Sequence, residues 1–421
     1  GSTAATTRIS TGDSYFNGNV GIGTTSPSQK LHVAGNIYAA SGFVNSSGYQ
    51  LNGTYVVDSS RNLVNIAAIT TSGNVTVGGN LTITAGELDT TTNNKDLTVT
   101  GVVTNNGTLT LNGSTVNLGS TSAQAGDFQG SGTFNFDTST INFHTGGTAN
   151  FAPDQSATVD SNTSTLNLIG LDSSTRAHNF DFNSGNMHNV TTSRGAGSGT
   201  HIDKLSANCT ITGDLTVGAN SKFSSGTRVF TVNGDVSVTG ELDCDDSDKP
   251  MTFGSLTINS GGTYTATSGT TTITSEKDHS GQGYGWRNDG GTFTHNKGLV
   301  KFDTPANTII KENTWYDFEL YADGSSRQYE IRDVSGNEIT FLGNLTLTAG
   351  RLKTTTSTDT ITVHGNTHIT SSAKCWHNAH QDTNKITHHG LVTNKGEFKI
   401  NDGTTVKLNG GIRNLGTITV A

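Results

Sequence analysis

One stretch of this chain occurs twice. Gly79 to Gly101 reads GNLTITAGELDTTTNNKDLTVTG, and Gly343 to Gly365 reads GNLTLTAGRLKTTTSTDTITVHG. The two align without a gap and share, among others, Asn80/Asn344, Leu81/Leu345, Ala85/Ala349, Leu88/Leu352 and Val99/Val363. A unit that is repeated in this way stacks on copies of itself, because each copy needs a neighbour to cover its apolar face. The repetition constrains shape far more than chemistry.

Composition agrees with stacking. A chain of 421 residues would ordinarily form two or three globular domains, yet only 31% of residues are hydrophobic and 14% charged. Disorder would need high charge or abundant proline, whereas there are 4 prolines and a net charge of -9. No i, i+3, i+4, i+7 stripe runs over three turns. Apolar pairs two residues apart recur instead, as in Leu81-Ile83, Leu97-Val99, Leu109-Leu111, Leu345-Leu347 and Ile361-Val363. Each pair shares one face of a strand. Asn and Gly between pairs, as at Asn105-Asn106-Gly107 and Asn112-Gly113, accept the backbone angles of tight corners. Two or three pairs per coil give a turn of about 20 residues. The expected fold is all-β: an elongated β-solenoid with a thin inner column of small and β-branched residues. Gly79, Gly101, Gly107, Gly343 and Gly365 are expected at its turns. An antiparallel sandwich would also give short, evenly spaced strands.

Several classes are disfavoured. No apolar run approaches the roughly 20 residues of a membrane span, so membrane insertion is not expected. Mild acidity offers no basic field for nucleic acid. Cys209, Cys244 and Cys375 are far apart and form no metal-binding spacing. Asn74, Asn80, Asn112, Asn189, Asn208 and Asn344 match the glycosylation triplet, but such matches arise by chance in a chain rich in Asn and Thr. The chain starts at Gly1 without Met or a signal-like segment, which suggests a fragment or processed product.

Residues 1–60 differ from the rest. Gly18 to Gly35, GNVGIGTTSPSQKLHVAG, suggests strand, turn, strand, with Val20 and Ile22 on one face, Leu31 and Val33 on another, and Pro27 fixing the bend. The run GNVGIGTTSPSQKLHVAGNI resembles a motif of bacteriophage tail fibres and tailspikes, including fibres that carry a self-cleaving intramolecular chaperone. The LTLTAG and TVxG phrases that follow resemble the β-helical shafts of such virion proteins and of some bacterial surface proteins. The resemblance implies a homotrimer with the motif at a trimeric junction, located in the virion, with other tail proteins and a host-surface glycan as partners. Val20, Ile22, Leu31 and Val33 would then be buried by another chain. No chaperone domain is recognisable in the sequence. The domains expected are a junction at 1–60, a repeat-rich shaft at 61–275 and a distal solenoid with inserted loops at 276–421.

Candidate sites lie in that last part. The run from Thr314 to Asp323 alternates, which would point Tyr316, Phe318 and Leu320 inward and Trp315, Asp317, Glu319 and Tyr321 outward. Aromatic faces beside carboxylates suit sugars, so Trp286, Trp315, Asp317, Glu319 and Tyr321 form a candidate glycan site. Otherwise the aromatics widen and seal a coil. His364, His368, His377, His380, His388 and His389 cluster within 26 positions, a candidate metal site or a set of surface histidines. Asp243, Asp245, Asp246 and Asp248 could hold calcium or form a solvated turn. Asp317, Glu319, Glu330 and Asp333 are the only carboxylates to test for glycoside hydrolysis. No nucleophile elbow or phosphate loop is present.

The expected function is non-enzymatic and needs no cofactor: a structural fibre or spike of a phage virion, giving reach and display for host attachment. A bacterial surface adhesin of the same architecture and a polysaccharide-degrading tailspike are the alternatives.

Overall fold

A computed structural model describes residues 17–28, 30–34, 49–51, 54–57, 73–90, 94–120, 125–145, 150–171, 176–180, 186–195, 199–246, 248–321, 327–332, 338–354, 360–377, 385–401 and 404–420. The chain divides into two units, Gly1–Thr71 and Ser72–Ala421. No helix occurs among the described residues.

In the first unit, Val20–Ile22 pairs with Leu31–Val33 in parallel, with Val20 opposite Leu31 and Ile22 opposite Val33. The expected strand-turn-strand is therefore a crossover and not a hairpin. Ile22 is 54% and Leu31 56% exposed, while Val20 is half-buried. The Val33 side chain lies outside the described residues. Tyr49–Leu51 and Thr54–Val57 form an antiparallel pair.

The second unit is a β-solenoid of more than a dozen turns. Its first full turn comprises Leu81–Ile83, Glu87–Asp89 and Leu97–Val99, and each of these pairs in parallel with the next turn. The same three-sided plan recurs at Thr360–Val363, Thr367–Ile369 and Ala373–His377. Each duplicated stretch spans one turn: Gly101 N–H donates to Gly79 O at 3.0 Å, and Gly365 N–H to Gly343 O at 2.9 Å.

The corners explain the abundance of Asn. At a corner the chain turns away from its strand and would leave the amide unpaired, a cost that a short amide side chain offsets. Asn80 Oδ1 accepts from Val102 N–H at 2.9 Å, Asn344 Oδ1 from Asn366 N–H at 3.0 Å, and Asn366 Oδ1 from Leu391 N–H at 3.0 Å. Asn74, Asn112, Asn189 and Asn208 also bond to a neighbouring turn. The six triplet Asn residues named from sequence therefore act in the ladder between turns. Along the flat sides, Asn117, Asn142 and Asn167 stack with amide bonds of 2.9 Å.

The core departs from expectation. Leu97, Val99, Ile361 and Val363 face inward as read from their spacing. The inner column is not mainly small, however. Phe128 stacks on Phe151 at 4.6 Å, and further along Tyr264, Trp286, Phe293, Trp315 and Phe318 are in mutual contact. Turns of 18 to 30 residues enclose enough width for these rings, and a fully buried side chain of this size contributes roughly 1.5–3 kcal/mol. Val236 and Leu256 lie one turn of 20 residues apart, and Ile141 and Leu166 one of 25.

Candidate functional site

The aromatic site expected from sequence is split by the fold. Trp286 and Trp315 are fully buried, with ring centroids 5.1 Å apart, and seal the coil. Neither offers a face to a sugar. Alternation holds from Asp317 onward: Phe318 and Leu320 are buried, whereas Tyr321 is 42% exposed. It fails at Tyr316, where the chain turns a corner between Thr314–Trp315 and Asp317–Leu320 and the inward phase resets. Asp317 Oδ1 accepts from Asn344 N–H at 2.6 Å, so it is another corner residue. Glu319 accepts from Thr348 Oγ1 at 2.7 Å. Lys301 Nζ sits 3.8 Å over the Tyr321 ring.

The carboxylates considered for hydrolysis do not share a face. Asp317–Leu320 pairs with Leu299–Phe302 and Leu345–Leu347, while Glu330 belongs to Gln328–Ile331, which pairs with other strands. Glu330 lies 3.6 Å from Arg332. Asp333 is outside the described residues. Lys222 and Lys204 occupy the acidic turn: Lys222 pairs with Asp243 and Lys204 with Asp246 at 3.1 Å. Burial raises the Asp243 carboxyl, but bonds from Lys222 and Asp245 outweigh it and hold it below the usual carboxylate range.

The histidines also separate. His388 points inward, fully buried, with Nδ1 2.7 Å from Thr367 Oγ1. Burial pushes its imidazole down to about 4. His364 and His389 stack as an exposed pair at a corner, 5.1 Å apart and nearly parallel. His368 lies on a flat side between Thr346 and Thr393. His377 ends a strand but its side chain is outside the described residues, as is all of His380. Among the described residues no group of three metal-binding side chains converges.

Two surface features were not singled out from sequence. The first is a cleft of about 240 Å³ beneath an inserted hairpin, lined by Ser237, Thr257, Asn259, Lys277, His279, Tyr284, Arg287 and Asp289. Lys277 opposes Tyr284 and Asp278 opposes Gly283, the only antiparallel pairing described in this unit. Asp278 Oδ1 accepts from Gly281 N–H at 2.9 Å to close the tip, where Gly281 has a φ of 79°. Arg287 and Lys311 reach Asp289 at 2.7 and 2.8 Å, and Lys277 reaches Asp235 at 2.9 Å. Burial pulls the Asp289 carboxyl up, but the two cations prevail and hold it low. The cleft offers hydroxyl, amide and imidazole groups for hydrogen bonding, with its charges already neutralised. Its sequence signal was the break in strand rhythm from Glu276 to Asp289.

The second feature surrounds Trp376, the half-exposed tryptophan. Arg351, Lys374 and Glu397 stack in one outward column, and Glu330, Lys353, Trp376 and Lys399 in the next. The Arg351 guanidinium lies 3.7 Å from the Trp376 ring centroid, with Lys399 and Lys374 at 5.3 and 5.6 Å. Lys374 also pairs with Glu397 at 3.1 Å. These positions recur every 23 residues, a period that would have revealed the cluster had the sequence been read at that spacing.

No family model, curated protein or solved structure matches the chain.

Proposed function

We propose that this chain is a non-enzymatic structural segment of a phage fibre or spike, which assembles as a homotrimer in the virion and displays recognition surfaces at a distance. The carrying observation is the unbroken parallel ladder running turn on turn from Val75 to Val420. Each turn adds about 4.8 Å of length, so such a chain extends reach while its cross-section is built from the same three sides. Function resides in sites placed on a fold, and the regular sides here present mostly Thr, Ser and Asn.

The GIGTTSPSQKLHV segment supports the self-assembly part of the reading. Its exposed Ile22 and Leu31 are apolar groups that another copy would cover. Other tail proteins and a host-surface glycan complete the set of partners, and no cofactor is involved. The test is immunogold electron microscopy with antibodies to this chain on phage particles and on bacteria from the same culture. Gold on tail appendages is expected. Gold confined to the bacterial surface overturns the virion assignment in favour of an adhesin.

A further inference from the structure

We propose that the side of the solenoid around Trp376 is a binding strip for an acidic polysaccharide, one bearing carboxylate or sulfate groups on its sugars. The inference does not depend on the virion assignment, since binding is a property of the isolated chain.

The first support is unspent charge. Among the described residues no carboxylate lies within ion-pair distance of Arg351, Lys353 or Lys399, although the protein as a whole carries a net charge of -9. An acidic chain that leaves three cations unpaired on one side within three turns has a local field opposite to its global one.

The second is arrangement. A guanidinium stacked flat on an indole is held in one plane, and its N–H edge remains available for a two-pronged bond to an anionic group. The Arg351 guanidinium carbon lies over the Trp376 ring, close enough for such a stack. The other two sides of the same turns present Thr346, His368 and Thr393, and Thr340, Thr362 and Thr387, at their outward positions. Exposed Glu338 and Lys385 lie at other outward positions of the second of these sides, so the Trp376 side is set apart by the grouping of its cations around an indole.

The third is spacing. Arg351 and Lys353 share one turn and Lys399 lies two turns on, about 10 Å along the axis at roughly 4.8 Å per turn. The unpaired charge therefore comes in two groups with a gap between them. Duplex DNA presents one negative charge per roughly 1.7 Å, or 3.4 Å along each strand, an even spacing that two separated groups do not follow. A polymer whose charges are set apart on its sugars is the better partner, and the hydroxyls of its other positions suit the flanking Gln328 and Thr417.

The experiment is calorimetric titration of the purified chain with polygalacturonate oligomers, sulfated dextran, plain dextran and a single-stranded oligonucleotide. Binding to polygalacturonate, sulfated dextran or both is expected, weakening as salt is raised, with none to plain dextran. Which of the two binds distinguishes carboxylate from sulfate as the recognised group. The triple variant Arg351→Gln/Lys353→Gln/Lys399→Gln should bind about tenfold more weakly or worse, since each exposed contact is worth up to about 1 kcal/mol. Lys353→Gln alone should show a smaller loss in the same direction, and Lys301→Gln, on another side, none. Thermal melting checks that each variant is folded. Binding to neither polyanion, equal binding by the folded variants, or tighter binding to the oligonucleotide than to either glycan overturns the proposal.

Discussion

At the scale of single residues, identity and position did not predict role until the direction of the side chain was known. Trp315 sits one residue before a corner, so its ring enters the core between Trp286 and Phe318. Replacing it with Ala should cost about 3–5 kcal/mol, the range for deleting a buried aromatic, while glycan binding at 4 °C by the folded fraction stays unchanged. Denaturant unfolding measures the first and calorimetry the second. His388 gives a prediction in pH. Its folded-state value of about 4 lies below the ordinary 6.5, so the native state resists the proton that the unfolded chain accepts. Its contribution is complete above about pH 6.5 and is lost as the pH falls towards 4, by an amount on the order of 3 kcal/mol. Urea unfolding at successive pH values should show this slope in the wild type and a flatter one in His388→Gln. Parallel curves would refute the assignment.

At the scale of elements, the corners and the inserted hairpin behave differently. A corner is a close approach between turns. A Cβ at Gly365 would lie 2.3 Å from Gly343 O, whereas one at Gly79 meets nothing within 4 Å. Gly365→Ala should therefore destabilise by about 1–3 kcal/mol, and Gly79→Ala by much less, although each glycine bounds one copy of the duplicated stretch. Chemical denaturation of the pair decides it. The hairpin rests on Asp289 and its two cations. With a depressed carboxyl, the stability it supplies is present above the ordinary carboxylate range and is lost as the pH falls through the folded-state value. Asp289→Asn should cost about 0.5–1 kcal/mol at pH 7, reduced by solvent screening at this partly exposed site. The gap from wild type should close on acidification. Faster proteolysis between Lys277 and Arg287 is the local readout, and an unchanged cleavage rate at pH 7 would show that the bridges do not hold the hairpin.

At the scale of the whole molecule, the open question is the number of chains. The parallel pair of the first unit exposes Ile22 and Leu31, each more than half accessible. Burying them against two further copies would offset the entropy of assembly only if the contact is shared by all three chains. Light scattering should give three times 43.9 kDa for the wild type, and Ile22→Asp/Leu31→Asp should reduce this to a single subunit. A wild-type mass of one subunit refutes the trimer.

The sequence by itself determined the stacking. The gapless repeat of Gly79–Gly101 at Gly343–Gly365 is one turn written twice, and pairs such as Leu97-Val99 fixed which side chains face inward. Asn and Gly marked the corners because few other residues bond or fit there. What the sequence could not give was the set of neighbours across turns. In a solenoid the residues beside a given side chain lie about one turn away along the chain, and the turn length varies here from 18 residues, between Val300 and Phe318, to 30, between Leu256 and Trp286. Of the histidines close in sequence, His364, His368, His388 and His389 were thus distributed over different sides, inside and outside. Arg351 and Trp376, 25 residues apart along the chain, became one surface with Lys374. Only the closed turns, which bring each strand back above its predecessor, decide such contacts.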